Sequence, residues 1–207
     1  MSPDKPLTAR QAAAEQTRQK LLAAAVAEFS QRPYSEVTVG GIAKAAGVAH
    51  GLVSHHFQGK QGAYAAAVDA VYQQIRAAED GPVAVAVRDQ VRQRFRAFLS
   101  FVAEHPDTAL NLVLAAGRDQ AFVTQREYGL RMLAGLLGLD RDHPAVAAVL
   151  GSFADATEGL TASWLRQGRP FTVDAMVEAF CALLAGAIRA ARELDASLDV
   201  TEALEQL

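Results

Sequence analysis

The segment GVAHGLVSHHFQGK, residues 47–60, carries His50, His55 and His56 and closes on Lys60. Its reading decides the fold. On an α-helix at about 100° per residue, with His50 set at 0°, Ser54 falls near ~40°, Gly51 near ~100° and His55 near ~140°. Val53 and Phe57 fall at roughly 300° and 340°, with His56 beside them at roughly 240°. The outward arc is therefore small and polar, and the apolar pair must face a core. Metal chemistry fits poorly. Helical metal pairs share a face at i, i+4, whereas His50 and His55 diverge by about 140° and by about 7.5 Å along the axis. Catalysis fits no better. No carboxylate lies between Glu36 and Asp69 to orient an imidazole, and Ser54 lacks a G-x-S-x-G context.

A short helix with such a face, preceded by a second short helix and a glycine turn, predicts a helix-turn-helix over residues 38–57. Thr38 is placed to cap the first of these helices, despite two poor helix formers in Gly40 and Gly41. Gly47 supplies the turn, and the second helix is expected from about Ala49 to Phe57. Such a helix fits the major groove of double-stranded DNA, where Ser and His reach base edges or phosphates. Gly51 lets the backbone come close. Lys60, at the start of the next helix, is suited to a phosphate. The candidate DNA contacts are Thr38, Val39, Lys44, His50, Gly51, Leu52, Ser54, His55, His56 and Lys60.

Outward from this motif the pattern stays helical. Pro3 and Pro6 mark a loose arm, and Thr8 with Gln11 fits a capping box. The first helix carries Leu21, Leu22, Ala25, Val26 and Phe29 at helical spacing and stops at Pro33. A helix after Gly59 runs towards Gly81-Pro82. Val91, Phe95, Phe98, Leu99 and Val102 form the next apolar stripe, broken at His105-Pro106. Shorter helices are expected over 110–114 and 122–137, with Asp142 as a cap before the next one. Two long helices follow over 145–166 and 173–194, and the acidic tail 195–207 is expected to fray. The fold class is all-α: residues 1–14 an arm and the start of the first helix, 15–75 a three-helix headpiece, 76–207 a larger helical body.

Composition agrees. Hydrophobic residues make up 51% and charged residues 21%, ordinary for a soluble globular chain. No run approaches the ~18 apolar residues of a membrane span, so no membrane partner is expected, and the N-terminus has no apolar core of a secretory signal. Cys181 is the lone cysteine, which excludes an internal disulfide and fits a reducing cytoplasm. The net charge of −3 divides into +3 over residues 1–60 and −6 over the remainder, so the front segment is the part suited to a polyanion.

Thr38-Val39, Ile42-Ala43-Lys44-Ala45-Ala46-Gly47-Val48, Gly51, Val53-Ser54, His56-Phe57 and Lys60 together resemble the signature of TetR-family transcriptional regulators. Leu21 to Ala25 with Phe29 is similar to that family's first helix, so the resemblance covers about residues 15–75. Two positions depart from it. Ala49 stands where the family commonly has serine, and Ser54 where it has tyrosine. The run GLVSHHF is similar to the G-[IL]-[IV]-S-H-[YH]-F variant of choline-responsive betaine-pathway repressors. The resemblance implies a DNA-binding headpiece on a helical body that dimerises and holds an effector.

For the dimer contact we expect Val146, Val149, Leu150 and Phe153 with Met176, Val177, Phe180 and Leu184. Ala148, Ala156, Gly186 and Ala187 would permit close helix approach. Core filling within one chain is the alternative for the same residues. Candidate effector contacts are Phe95, Phe98, Phe101, Phe122, Tyr128 and Trp164, with His105, Asp155 and Glu158 as polar anchors. The expected function is a homodimeric repressor released from its operator by a small, mostly apolar molecule. The alternatives are a helical enzyme using His105, His143, Asp155 or Glu158, or an interaction protein without DNA binding. No H-E-x-x-H, E-x-x-H pair or P-loop supports the enzyme, so we assign no catalytic residue, metal or cofactor.

Overall fold

Thr8 starts the first helix as its spacing requires. The Gln11 N–H donates to Thr8 Oγ1 at 3.3 Å, and the Thr8 N–H donates back to Gln11 Oε1 at 2.9 Å. The computed structural model describes residues 8–78, 86–114 and 120–207. The Pro3/Pro6 arm and the Gly81-Pro82 stop lie outside them. Among the described residues every regular element is helical. Helices α1 (Ala9–Gln31), α2 (Val39–Ala45), α3 (Gly51–Phe57) and α4 (Lys60–Ala78) form the headpiece, with a 3-10 turn at Tyr34–Glu36. The body holds α5 (Val87–Glu104), α6 (Pro106–Thr108), a π-helical turn (Ala109–Val113), α7 (Gln120–Leu136), α8 (Pro144–Arg166), α9 (Val173–Leu194) and α10 (Thr201–Glu205).

The headpiece closes on Phe29, which stacks on Tyr34 at 5.9 Å and meets the Tyr64 ring edge-on at 5.0 Å. Leu21, Ile42, Val53 and Val68 are wholly buried around it. Burying side chains of this size stabilises by about 1.5–3 kcal/mol each. Leu112 and Val113 of the π-helical turn enter this same core, and the Asn111 side-chain amide donates to the Ser30 carbonyl at 2.9 Å. The body is thus packed onto the end of α1 as well as joined through α4.

In the body, α8 and α9 pack as the most extensive helix pair, and α5 lies across α9. Arg92 pairs with Glu178 at 2.8 Å and Arg96 with Asp174 at 2.6 Å across the α5–α9 seam. Ion pairs this exposed to solvent contribute little. Burial of Leu99, Val102, Met176 and Val177 outweighs them.

Three expectations need correction. Asp142 does not cap α8: the cap position is His143, and Asp142 instead accepts from Arg131 at 2.9 Å. That pairing holds the Asp142 carboxyl below the usual range, through the Arg131 hydrogen bond first and its charge second. The acidic tail does not fray. Val200 and Ala203 are each 2% exposed and pack with Leu184 and Ile188, which fixes α10. Third, Val146, Val149, Leu150, Phe153, Met176, Val177, Phe180 and Leu184 are all buried inside the single chain, none more than 8% exposed. They pack within its own core, the alternative reading for these residues. The exposed side of the α8–α9 pair includes small residues, Ala148, Ser152, Ala156 and Gly159 on α8 and Ala175, Ala182, Gly186 and Ala190 on α9, beside Leu183 and the charged Asp155, Glu178 and Arg189.

Candidate functional site

The turn into α3 is built by the end of α2. Gly47, at φ +67°, donates to the Lys44 carbonyl at 3.1 Å while Val48 donates to Ala43 at 3.0 Å. This double closure needs a left-handed residue between the bonds, which glycine adopts without a Cβ penalty. Thr38 opens α2 by accepting from the Gly41 N–H at 3.0 Å. Helix α3 ends on Gln58 and Gly59, both at positive φ, which turns the chain sharply into α4.

Within α3, Val53 and Phe57 are buried, while His50, Gly51, Ser54 and His55 are exposed. His56 is half-buried at the apolar edge, its ring 5.0 Å from that of His55 and nearly perpendicular to it. The face drawn from sequence is present, with one change at its start. The helix begins at Gly51 rather than Ala49, and His50 occupies the cap position without a side-chain capping bond. Its imidazole lies against α2: a Cβ on Gly40 would stand 3.3 Å from His50 Nδ1. Gly40, a poor helix former, thus provides the seat that orients His50.

The remaining candidates divide. Thr38 and Lys44 are exposed; Val39 and Leu52 are half-buried against the headpiece core. Lys60 is half-buried, its ammonium 4.2 Å from the exposed Tyr34 ring centre and donating to the Ser35 carbonyl at 3.4 Å. Arg18 was missed from sequence. Its guanidinium sits 5.5 Å from the Phe57 ring centre, at the end of α3.

A second feature is a cavity of about 200 Å³ in the body, beneath α4 and among α5, α7, α8 and α9. Of the candidate effector contacts it takes Phe95, Phe98 and Glu158. The other six lie elsewhere. Phe101 stacks against His105 at 4.8 Å, and Trp164 is a core residue whose Nε1 donates to the Phe171 carbonyl at 2.9 Å. Tyr128 is exposed beside Arg76, Asp155 is exposed against Arg126, and Phe122 is half-buried away from the cavity. Sequence reading missed Tyr72, Arg126 and Leu130, which do line it, and Phe153 and Phe180, which it had given to the dimer contact. Burial first, then the nearby Glu158 charge, pushes the Tyr72 phenol well above its ordinary range, so it stays neutral. Burial also raises the Glu158 carboxyl, an effect Arg126 partly offsets.

Between headpiece and cavity lies a polar clip. Gln125 of α7 donates to Asp69 at 2.7 Å and accepts from Arg76 at 2.6 Å, both on α4, and it also lines the cavity. Among the described residues no helix is long and apolar enough to cross a membrane.

Residues 21–67 match the family model described as bacterial regulatory proteins, tetR family. No curated protein matches the chain. Among solved structures, a tetR-family transcriptional regulator from Streptomyces coelicolor superposes with a TM-score of 0.73 at 21% identity, covering 93% of this chain and 88% of that one. A TetR-like transcriptional regulator from Rhodococcus sp. RHA1 gives 0.61 at 22% identity, covering 91% and 98%. The transcriptional regulator FadR from Bacillus subtilis, in complex with stearoyl-CoA, gives 0.63 at 20% identity, covering 80% and 96%. The chain has the TetR-type fold, an N-terminal helix-turn-helix domain that matches the family's model and a larger C-terminal helical domain.

Proposed function

We propose that this chain is a cytoplasmic TetR-family regulator that binds operator DNA as a homodimer and is a repressor released by a small, mostly apolar effector. One observation carries the reading: the exposed polar arc of α3 backed by buried Val53 and Phe57. That arc has the dimensions and chemistry of a major-groove reader. The charge distribution supports it, since the positive segment is the one holding α3. The GLVSHHF likeness to choline-responsive repressors sits on α3 alone and bears on the DNA rather than on the effector.

A single helix of this length contacts too few base pairs to specify a genomic site, so two half-sites must be read together. The exposed side of α8 and α9, where Ala148, Ser152, Ala156, Ala182 and Gly186 alternate with the exposed apolar Leu183, is the surface suited to bring two copies close. The cavity is the effector site in this reading. An apolar cavity of about 150 Å³ holds benzene, so about 200 Å³ holds one ring with a small substituent. A ligand there touches α4 through Tyr72 and the Gln125 clip, and α4 carries the headpiece. Its preference for one α4 position over another would alter the spacing of the two α3 helices.

The enzyme alternative has less support. His105 stacks on Phe101, His143 pairs with Asp195 at 3.4 Å, and Asp155 is bonded to Arg126. Each is held in a different contact.

Gel shifts on the DNA flanking the protein's own gene test the proposal. Specific binding should appear, and the logarithm of its affinity should fall steeply and linearly with the logarithm of salt concentration. Binding of every duplex with equal affinity would argue for a non-specific or interaction role.

A further inference from the structure

The polar groups on the cavity wall come from four helices: Tyr72 on α4, Arg94 on α5, Gln125 and Arg126 on α7, and Thr157 and Glu158 on α8. Arg126 is already committed. Its Nη1 donates to Asp155 at 2.7 Å and its Nη2 to the Gly151 carbonyl at 2.7 Å. From Glu158 it stands 3.6 Å away, beyond hydrogen-bond reach. The Thr157 hydroxyl is also spent, on the Phe153 and Ala154 carbonyls of its own helix, both at 3.0 Å. Glu158 therefore presents a carboxylate that, among the described residues, receives no hydrogen bond, on the wall of a mostly apolar cavity. An ionised carboxylate is an acceptor only. It needs a donor, and the ion pair with Arg126 at 3.6 Å does not supply one within hydrogen-bond distance.

The rest of the wall sets the body of the ligand. Phe95 lies 6.0 Å from Phe153 and 5.4 Å from Phe180, ring centre to ring centre, which gives an aromatic lining. We infer that the effector is a one-ring-sized apolar molecule with a hydrogen-bond-donating head, a hydroxyl or an amine, that donates to the Glu158 carboxylate. This rests on the reading of the cavity as the effector site. Donor-headed ligands gain a charge-assisted hydrogen bond. A carboxylate-headed ligand instead meets Glu158 as a like charge, with Arg126 already engaged. The Tyr72 phenol, kept neutral, can donate to a ligand oxygen from the same wall.

Calorimetric titration of the intact protein with toluene, benzyl alcohol, benzylamine and benzoate tests this. Benzyl alcohol or benzylamine should bind at least about tenfold tighter than toluene or benzoate. Glu158→Leu should erase that advantage while leaving toluene within about twofold. The tighter binder of benzyl alcohol and benzylamine on the unaltered protein assigns the head, and Glu158→Gln, which keeps an accepting oxygen but removes the charge, should abolish the benzylamine advantage and leave part of that of benzyl alcohol. Toluene or benzoate binding as tightly as the donors overturns the inference while sparing the cavity as effector site. So does a donor advantage that survives both substitutions. Failure of all four to bind overturns both, because toluene reports on the apolar cavity alone.

Discussion

Gly62→Ala is expected to destabilise the headpiece by about 1 kcal/mol or more, against the usual sign for glycine to alanine within a helix. Gly62 lies in the first turn of α4, where a Cβ would run into the Phe57 carbonyl oxygen and stand 2.9 Å from the carbonyl carbon. Both atoms are backbone, and Phe57 is anchored at 6% exposure, so the end of α3 must move away from α4. Overpacking of this kind costs about 1–3 kcal/mol, occasionally more, and outweighs the ~1 kcal/mol that alanine gains in helix propensity. Gly129 of α7 has nothing within 4 Å of its would-be Cβ. Gly129→Ala should therefore stabilise by about 0.5–1 kcal/mol. Urea unfolding of the two variants gives opposite signs if α3 is held against α4 as described. Operator affinity should fall at least about tenfold for Gly62→Ala, since each base contact contributes about 1–3 kcal/mol and depends on where α3 lies.

In the proposed homodimer, Ala182→Glu is expected to yield monomer and to cut operator affinity by about 10²–10⁴, the gain that linked binding of two sites provides. Ala182 is exposed on α9 among the small residues of the α8–α9 face. A glutamate there costs the isolated chain little, so thermal unfolding of the monomer should be nearly unchanged. In a close helix interface it introduces an unpaired buried charge, which is strongly unfavourable. Sedimentation velocity reads the mass directly. A variant that remains dimeric with full operator affinity would place the interface elsewhere.

The headpiece was legible in sequence because its determinants are local. Thr38 caps, Gly47 turns, and Val53 and Phe57 lie on one side of a helix only seven residues long. The body was legible as helices but not as contacts. Periodicity shows which side of α8 and α9 is apolar. It does not show what covers that side, and here α5, α7 and α10 bury Val146, Leu150 and Leu184 within one chain. The tail misled for a related reason. Val200 and Ala203 are too few to form a pattern, and only packing on α9 holds them. Long-range polar partners left no trace in the sequence either. Arg126 meets Asp155 and Gly151 across 29 and 25 residues, and the clip from Gln125 to Asp69 spans 56. Glu158 was singled out because a carboxylate on an apolar helix is conspicuous; Tyr72 went unnoticed because it reads as a core residue of α4.

The most direct measurement is the fluorescence anisotropy of His55→Ala on operator DNA and on an unrelated duplex of equal length. His55 lies on the exposed arc of α3, away from the buried Val53 and Phe57, so its loss should leave folding intact. Operator affinity should fall at least about tenfold, with affinity for the unrelated duplex within about twofold of the original. Equal losses on both duplexes, or no loss on either, would contradict a base-reading role for the outward face of α3.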